Sequence, residues 1–135
     1  STPISEAAIV GVSNGLAMKG FRPFAEIMFG DFITLAMDQI VNHAAKFYHM
    51  YNKQVKCPIV IRTPMGGRRG YGPTHSQTLD RLAMGIPNVT TIALHTLLNP
   101  QDIYQTILEK EEHPVIVIEN KLDYGSRIFK KKIKN

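Results

Sequence analysis

Three short apolar runs limit what this chain can fold into. Pro58-Ile59-Val60-Ile61 follows Cys57, Val-Thr-Thr-Ile-Ala-Leu fills residues 89–94, and Pro-Val-Ile-Val-Ile-Glu fills residues 114–119. All three read as strands covered on both faces, as in parallel sheets. Segments of helical period lie between and before them. Ile9, Val12 and Leu16 recur at helical spacing before Gly20, a good helix stop. Residues 100–110 open with Pro100, which suits a first helical turn. Strands alternating with helices predict an α/β fold: a three-layer parallel sheet with helices on both faces.

The remaining elements are read the same way. Ser5 is placed to cap a helix whose first turn holds Glu6, the charge that suits a helix N-terminus. Small residues Ala8, Gly11 and Gly15 would let this helix lie close to a neighbour. Residues 22–29 read as a strand that Gly30 ends. Asp31 then caps a long helix over 31–51, with Phe32, Leu35, Ala36, Ile40, Ala44 and Phe47 as its apolar positions. A glycine-rich loop spans 63–75, and a helix is expected from Ser76 to about Gly85.

Composition excludes several classes. With 135 residues, the chain is one domain's worth and can bury a real core. No apolar run approaches the roughly 20 residues that a transmembrane helix needs. The single cysteine, Cys57, rules out an intrachain disulfide and a multi-cysteine zinc site. The net charge of +5 owes much to Arg127, Lys130, Lys131, Lys132 and Lys134, which read as a solvated tail. Neither an initiating Met nor a signal peptide is visible, and both ends are expected to be cut. The expected division is a domain over 1–125, then a basic tail or the start of a linker to a missing C-terminal domain over 126–135.

In open parallel sheets, ligands bind at the carboxyl ends of the strands. Three places qualify: the turn before Glu6, the turn around residues 29–32, and the loop over 63–75. The loop segment Gly66-Gly67-Arg68-Arg69-Gly70-Tyr71-Gly72-Pro73 suits a flexible wall or lid around an anionic ligand, and equally an ordinary mobile surface loop. No phosphate loop, dinucleotide fingerprint or Gly-Asp-Gly magnesium-diphosphate pattern occurs, so the chain carries no phosphate anchor of its own. His75 stands before a helix, where an imidazole can handle protons near neutrality; the plainer reading is a surface histidine. His43, His49, His95 and His113 lack metal-ligand spacing. Glu6 sits among Ile4, Ala7, Ala8 and Ile9 with no basic neighbour. A first-turn carboxylate usually serves only the helix dipole, but one in apolar surroundings can share a proton with a ligand nitrogen.

Five blocks together carry more weight than any one of them. They are Thr2-Pro3-Ile4-Ser5-Glu6; Gly20-Phe21-Arg22-Pro23 with Glu26-Ile27-Met28-Phe29-Gly30-Asp31-Phe32; Asp38-Gln39-Ile40-Val41-Asn42-His43-Ala44-Ala45-Lys46; Pro58-Ile59-Val60-Ile61-Arg62; and Gly70-Tyr71-Gly72-Pro73-Thr74-His75-Ser76-Gln77. In this order and spacing the chain resembles the pyrimidine-binding domain of the transketolase superfamily. Within it, the chain is most similar to beta subunits of thiamine-diphosphate-dependent 2-oxo acid dehydrogenases of the pyruvate and branched-chain type.

The resemblance implies a set of roles. Glu6 would hydrogen-bond a ring nitrogen of the cofactor's aminopyrimidine, so that the ring can take up the thiazolium carbon proton. Phe32 would stack on the aminopyrimidine, and Ile4 would line the same pocket. His75 would handle protons and help pass the acyl group to a lipoyl arm. Arg68 and Arg69 would attract the oxo acid carboxylate, an assignment that rests on their charge and not on the resemblance. Thiamine diphosphate is the implied cofactor, its magnesium held mainly by a partner chain or domain.

An alpha subunit would carry that diphosphate site. A second beta subunit would complete an alpha2-beta2 tetramer, docked on a lipoyl-bearing acyltransferase, with no nucleic acid or membrane involved. The helices from Glu6 and Asp31 are the expected contact faces. The enzyme would be cytoplasmic in a bacterium and in the mitochondrial matrix in a eukaryote, and the fragment alone would be inactive. The family often holds potassium near the turn before Pro114. Glu111, Glu112 and His113 stand there, where Asp and Asn are common. The Arg-Arg-Gly-Tyr-Gly-Pro loop also departs from the pyruvate type, which leaves the oxo acid open. Two alternatives stay in view: a transketolase or deoxyxylulose-phosphate-type synthase, and a basic nucleic-acid-binding module using the arginine loop and lysine tail.

Overall fold

A computed structural model of the chain describes residues 1–126. The basic positions from Arg127 to Lys134 lie outside the described residues. Four parallel strands form one sheet: β1 (Phe24–Glu26), β2 (Val60–Pro64), β3 (Thr90–Ala93) and β4 (Val115–Glu119), in the spatial order β1-β2-β4-β3. The four α-helices are α1 (Glu6–Met18), α2 (Phe47–Met50), α3 (Asp80–Met84) and α4 (Pro100–Lys110). The α/β parallel architecture expected from the apolar runs is what the chain adopts. No helix among the described residues is long and apolar enough to cross a membrane.

The strand pleat explains the lack of polar alternation. In the central strands, Ile59, Ile61, Ile116 and Ile118 point to one face, where they meet Val10 and Ala17 of α1, Ile33, Ile40, Ala44 and Phe47 from the segment after β1, and Ala83 of α3. Val60, Val115 and Val117 point to the other face, where they meet Ile103, Tyr104 and Ile107 of α4. The strand side chains on both faces are buried, so both parities must be apolar. Ile61 and Ile116 are fully buried, each contributing roughly 1.5–3 kcal/mol of transfer free energy.

The helix ends follow local chemistry. Asn99 accepts from the amide of Gln101 (3.2 Å) ahead of Pro100, so α4 is capped by its own sequence. The chain leaves α1 through Gly20 at φ +89°, a left-handed turn that glycine adopts without Cβ strain. Ser5 starts α1 but makes no side-chain cap.

Four expected elements differ. The strand over 89–94, expected to be covered on both faces, is an edge strand, and none of Thr90–Ala93 is fully buried. The strand over 22–29 is regular only over Phe24–Glu26, although Ile27 still donates to the Arg62 carbonyl (3.0 Å). The helix over 31–51 is not one α-helix. It is a 3-10 segment (Gly30–Ala36), a wide π turn (Gln39–Ala44) and the short α2. Asp31 does not cap it, because its carboxylate is turned inward to Gln77. The tight start and the wide turn together return Ile33, Ala36, Ile40 and Ala44 to the core, all of them buried. Asn14 of α1 donates to the Gln39 carbonyl (2.9 Å), which satisfies the backbone where the winding changes. Lastly, the helix after the glycine-rich loop begins at Asp80, not Ser76, and His75 lies in a 3-10 turn (Pro73–His75) instead of before an α-helix.

Candidate active site

Two segments converge at the carboxyl end of the sheet, on the face that α1 covers. The first leaves β1 and enters the 3-10 segment with Phe29 and Phe32. The second is the glycine-rich loop with Tyr71 and His75. The Phe32 and His75 rings meet edge to face, centroids 5.1 Å apart, and Phe29 packs on His75 at 4.8 Å and on Tyr71 at 5.4 Å. Phe32 and His75 are both half-buried, so each keeps an open side. Thr74 Oγ1 lies 2.9 Å from His75 Nδ1, a hydrogen bond that engages one of the two ring nitrogens.

The loop arginines divide. Arg69 donates from Nε to the Gly66 carbonyl and from Nη2 to the His75 carbonyl, both at 2.9 Å, so its guanidinium ties the loop to itself. Its charge also lies 5.9 Å from the Phe29 centroid and 5.5 Å from that of Tyr71. Arg68 is exposed, at φ +63°. Among the described residues, the cation nearest the aromatic cluster is Lys121, just past β4, whose Nζ stands 4.4 Å from the centre of Phe29. Such a contact contributes about 0.5–1 kcal/mol at exposed sites and more when dry.

Glu6 is half-buried in the first turn of α1. That helix packs on the 3-10 segment carrying Phe32, which brings the acid's element and the aromatic's element together. Ile4 stands in extended chain before α1 and is 84% exposed. The structure thus joins Phe32 to His75 directly, places Glu6 at the start of a helix that packs on the Phe32 segment, and leaves Ile4 on the surface. In the turn before β4, the Glu111 carbonyl accepts from Arg22 (2.6 Å) and Glu112 pairs with Lys56 (2.5 Å).

The other face ends in a polar cluster that no sequence motif marked. Continuing the row of Val60, Val115 and Val117, Arg62 and Glu119 face each other. Glu119, 7% exposed, accepts from Arg62 (2.8 Å), Tyr104 (2.5 Å) and Tyr124 (2.6 Å). A cavity of about 350 Å³ opens beside it, lined in part by Leu94, His95, Pro100 and Asn120. Burial pushes the Glu119 carboxyl up, but the three donors outweigh it and hold it below the usual carboxylate range. Burial and then the bond to Glu119 push the Tyr124 hydroxyl up to about 12.

A carboxyl depressed on folding contributes stability that is present above its unfolded value, near 4.3, and lost as pH falls through its folded value. Thermal unfolding is therefore expected to be insensitive to this group at pH 5–7 and to weaken progressively below about pH 4.3. Glu119→Gln is expected to be less stable at neutrality and to show a shallower acid decline. An identical acid decline in both proteins would exclude Glu119 as a source of it. Cys57 is buried beside Asn14, its thiol pushed up to about 12 by burial, and is not a reactive nucleophile.

Comparison with known proteins places this geometry. The model of the transketolase pyrimidine-binding domain matches residues 1–127. The 2-oxoisovalerate dehydrogenase subunit beta of Bacillus subtilis (strain 168) is 37% identical over 123 residues, 91% of this chain and 37% of the relative. The pyruvate dehydrogenase E1 component subunit beta of Rickettsia bellii (strain RML369-C) is 37% identical over 124 residues, 92% of this chain and 38% of the relative. Among solved structures, a split-gene transketolase in the form of an inactive beta4 tetramer superposes with a TM-score of 0.64 at 25% identity, over 87% of this chain and 35% of that one. The chain spans little more than a third of the length of the curated relatives it matches. By the family model, by these relatives and by its parallel sheet, the chain belongs to the transketolase pyrimidine-binding domain family.

Proposed function

We propose that this domain supplies the aminopyrimidine side of a thiamine-diphosphate site in an enzyme that decarboxylates a 2-oxo acid and passes the acyl group to a lipoyl arm. The observation that carries the reading is the meeting of Phe32 and His75 from separate segments, beside the helix that begins with Glu6. The residues suit the cofactor: a half-buried acid to hold a proton at a ring nitrogen, an aromatic with an open side for a flat ring, and an imidazole with one ring nitrogen engaged by Thr74. When bound, the cofactor supplies the electron sink for loss of carbon dioxide. Glu6 holds or shares the proton at the ring nitrogen, Phe32 orients the ring, and His75 moves a proton at the acyl stage.

The diphosphate and magnesium are assigned to a partner chain or domain. An alpha subunit, a second beta subunit and a lipoyl-bearing acyltransferase complete the assembly. Exposed Val12 and Leu16 on α1 and Leu35 on the 3-10 segment suit buried contacts with such neighbours. The oxo-acid reading is preferred to a sugar-phosphate transketolase because the beta-subunit relatives are 37% identical, against 25% for the transketolase structure.

The test is calorimetry of the full-length protein with thiamine diphosphate and magnesium, with and without its partner chain. Tight binding is expected only with the partner, followed by turnover of a 2-oxo acid. Turnover of sugar phosphates instead would overturn the assignment. Replacing His75 by Ala is expected to slow lipoyl acylation by about 10²–10⁴-fold, the range for loss of a general acid or base, without loss of assembly. Equal loss of assembly and activity would make His75 structural.

A further inference from the structure

The placement of His75 against Phe32 is fixed by neither segment alone, and one side chain links the two by hydrogen bonds. Asp31 immediately precedes Phe32 and is only 6% exposed. Its Oδ1 accepts from Gln77 Nε2 (2.8 Å) and from the Gln77 amide (3.3 Å). Gln77, two residues past His75, offers its carbonyl to the Gly66 amide (3.2 Å). Arg69 closes the same loop from inside by donating to the Gly66 and His75 carbonyls. The loop from Gly66 to Gln77 is thus braced within itself, and Asp31 is its hydrogen-bonded tie to the aromatic segment, beside the ring contacts of Phe29 and Phe32. On the Asp31 side, Thr34 Oγ1 donates to the Asp31 carbonyl (3.0 Å), which steadies the turn.

Asp31 Oδ2 is buried with no hydrogen-bond partner among the described residues. Among the described residues its carboxylate hydrogen-bonds only to Gln77, through Oδ1. We propose that Asp31 is a positioning residue: through Gln77 it sets the distance between His75 and Phe32. Its effect on turnover rests on the reading above, that His75 acts at the acyl stage.

The test uses the full-length protein with its partner chain, and the variants Asp31→Ala, Asp31→Asn and Gln77→Ala. Two quantities are read: amide hydrogen exchange over residues 66–77 against that of β4, and kcat and KM for lipoyl acylation. Asp31→Ala is expected to speed exchange over 66–77 several-fold and leave β4 protected. It is expected to lower kcat by up to about 100-fold, the scale of a 1 Å misplacement, with KM for the oxo acid little changed. Asp31→Asn keeps the acceptor and is expected to restore both. Gln77 is exposed, so Gln77→Ala preserves the fold and is expected to reproduce the loop effect in part, even if Asp31→Ala fails to assemble.

Unchanged exchange over 66–77 in Asp31→Ala, or in Gln77→Ala where the first does not assemble, overturns the proposal. An equal rise in β4 does so too, since it would mean general loosening. Faster loop exchange with full acylation leaves the tie standing and overturns the role given to His75.

Discussion

Replacing Glu6 by Gln is expected to lower turnover of the 2-oxo acid by about 10²–10⁴-fold, the range for loss of a general acid or base. The change is nearly isosteric, so shape is kept while the ability to hold a proton at the ring nitrogen is lost. The structural side effect is small. Glu6 is the sole acidic residue in the first turn of α1, and removing its charge costs the helix about 0.3–1 kcal/mol. Val10 and Ala17 still anchor that helix in the core. Two measurements on the assembled protein separate the effects: thermal unfolding, expected to shift little, and deuterium exchange at the thiazolium carbon of the bound cofactor, expected to slow in step with turnover. Unchanged exchange at that carbon would remove Glu6 from the chemistry.

The parts of this molecule that follow from neighbouring residues were legible in its sequence. The apolar runs at 57–61 and 114–119 require two dry faces, and two dry faces require helices on both sides of a parallel sheet. The cap at Asn99 with Pro100 is equally local. What could not be read depends on residues distant in sequence. Asp31 has every local property of a helix cap, yet Gln77 claims its carboxylate, and the expected α-helix becomes a 3-10 segment followed by a wide turn. Arg69 reads as an anion receptor from its charge alone, and its bonds from Nε and Nη2 to loop carbonyls appear only in the fold. Phe32 and His75 were found through blocks of resemblance; Phe29 and Lys121, which pack around them, lack any spacing signal. Arg62, Tyr104 and the Glu119–Tyr124 pair come from three separate places in the chain and meet only once the sheet has formed.

Gly30 shows how closely stability and site are linked. It is buried where the 3-10 segment crosses the end of β2, and a Cβ there would stand 2.2 Å from Met65 Cγ, 3.1 Å from Met65 Cε and 3.2 Å from the Pro64 carbonyl oxygen. Met65 cannot easily yield. It is 2% exposed, and its sulfur lies 3.3 Å from the Leu79 amide. Gly30→Ala is therefore expected to destabilise the protein by about 1–3 kcal/mol, the usual range for overpacking. Because Phe32 lies in the same tight segment, the strain should also displace that ring from His75 and lower turnover. A double-mutant cycle isolates the cause. Met65→Ala alone removes buried volume and is expected to cost about 2–5 kcal/mol. In that background Gly30→Ala should cost much less, because the space its methyl needs is now free, giving a favourable coupling within the 0.5–3 kcal/mol seen for residues in contact. Denaturant unfolding of the four proteins measures it. Strictly additive losses would mean that the backbone contact with Pro64, and not the methionine, sets how closely the two segments approach.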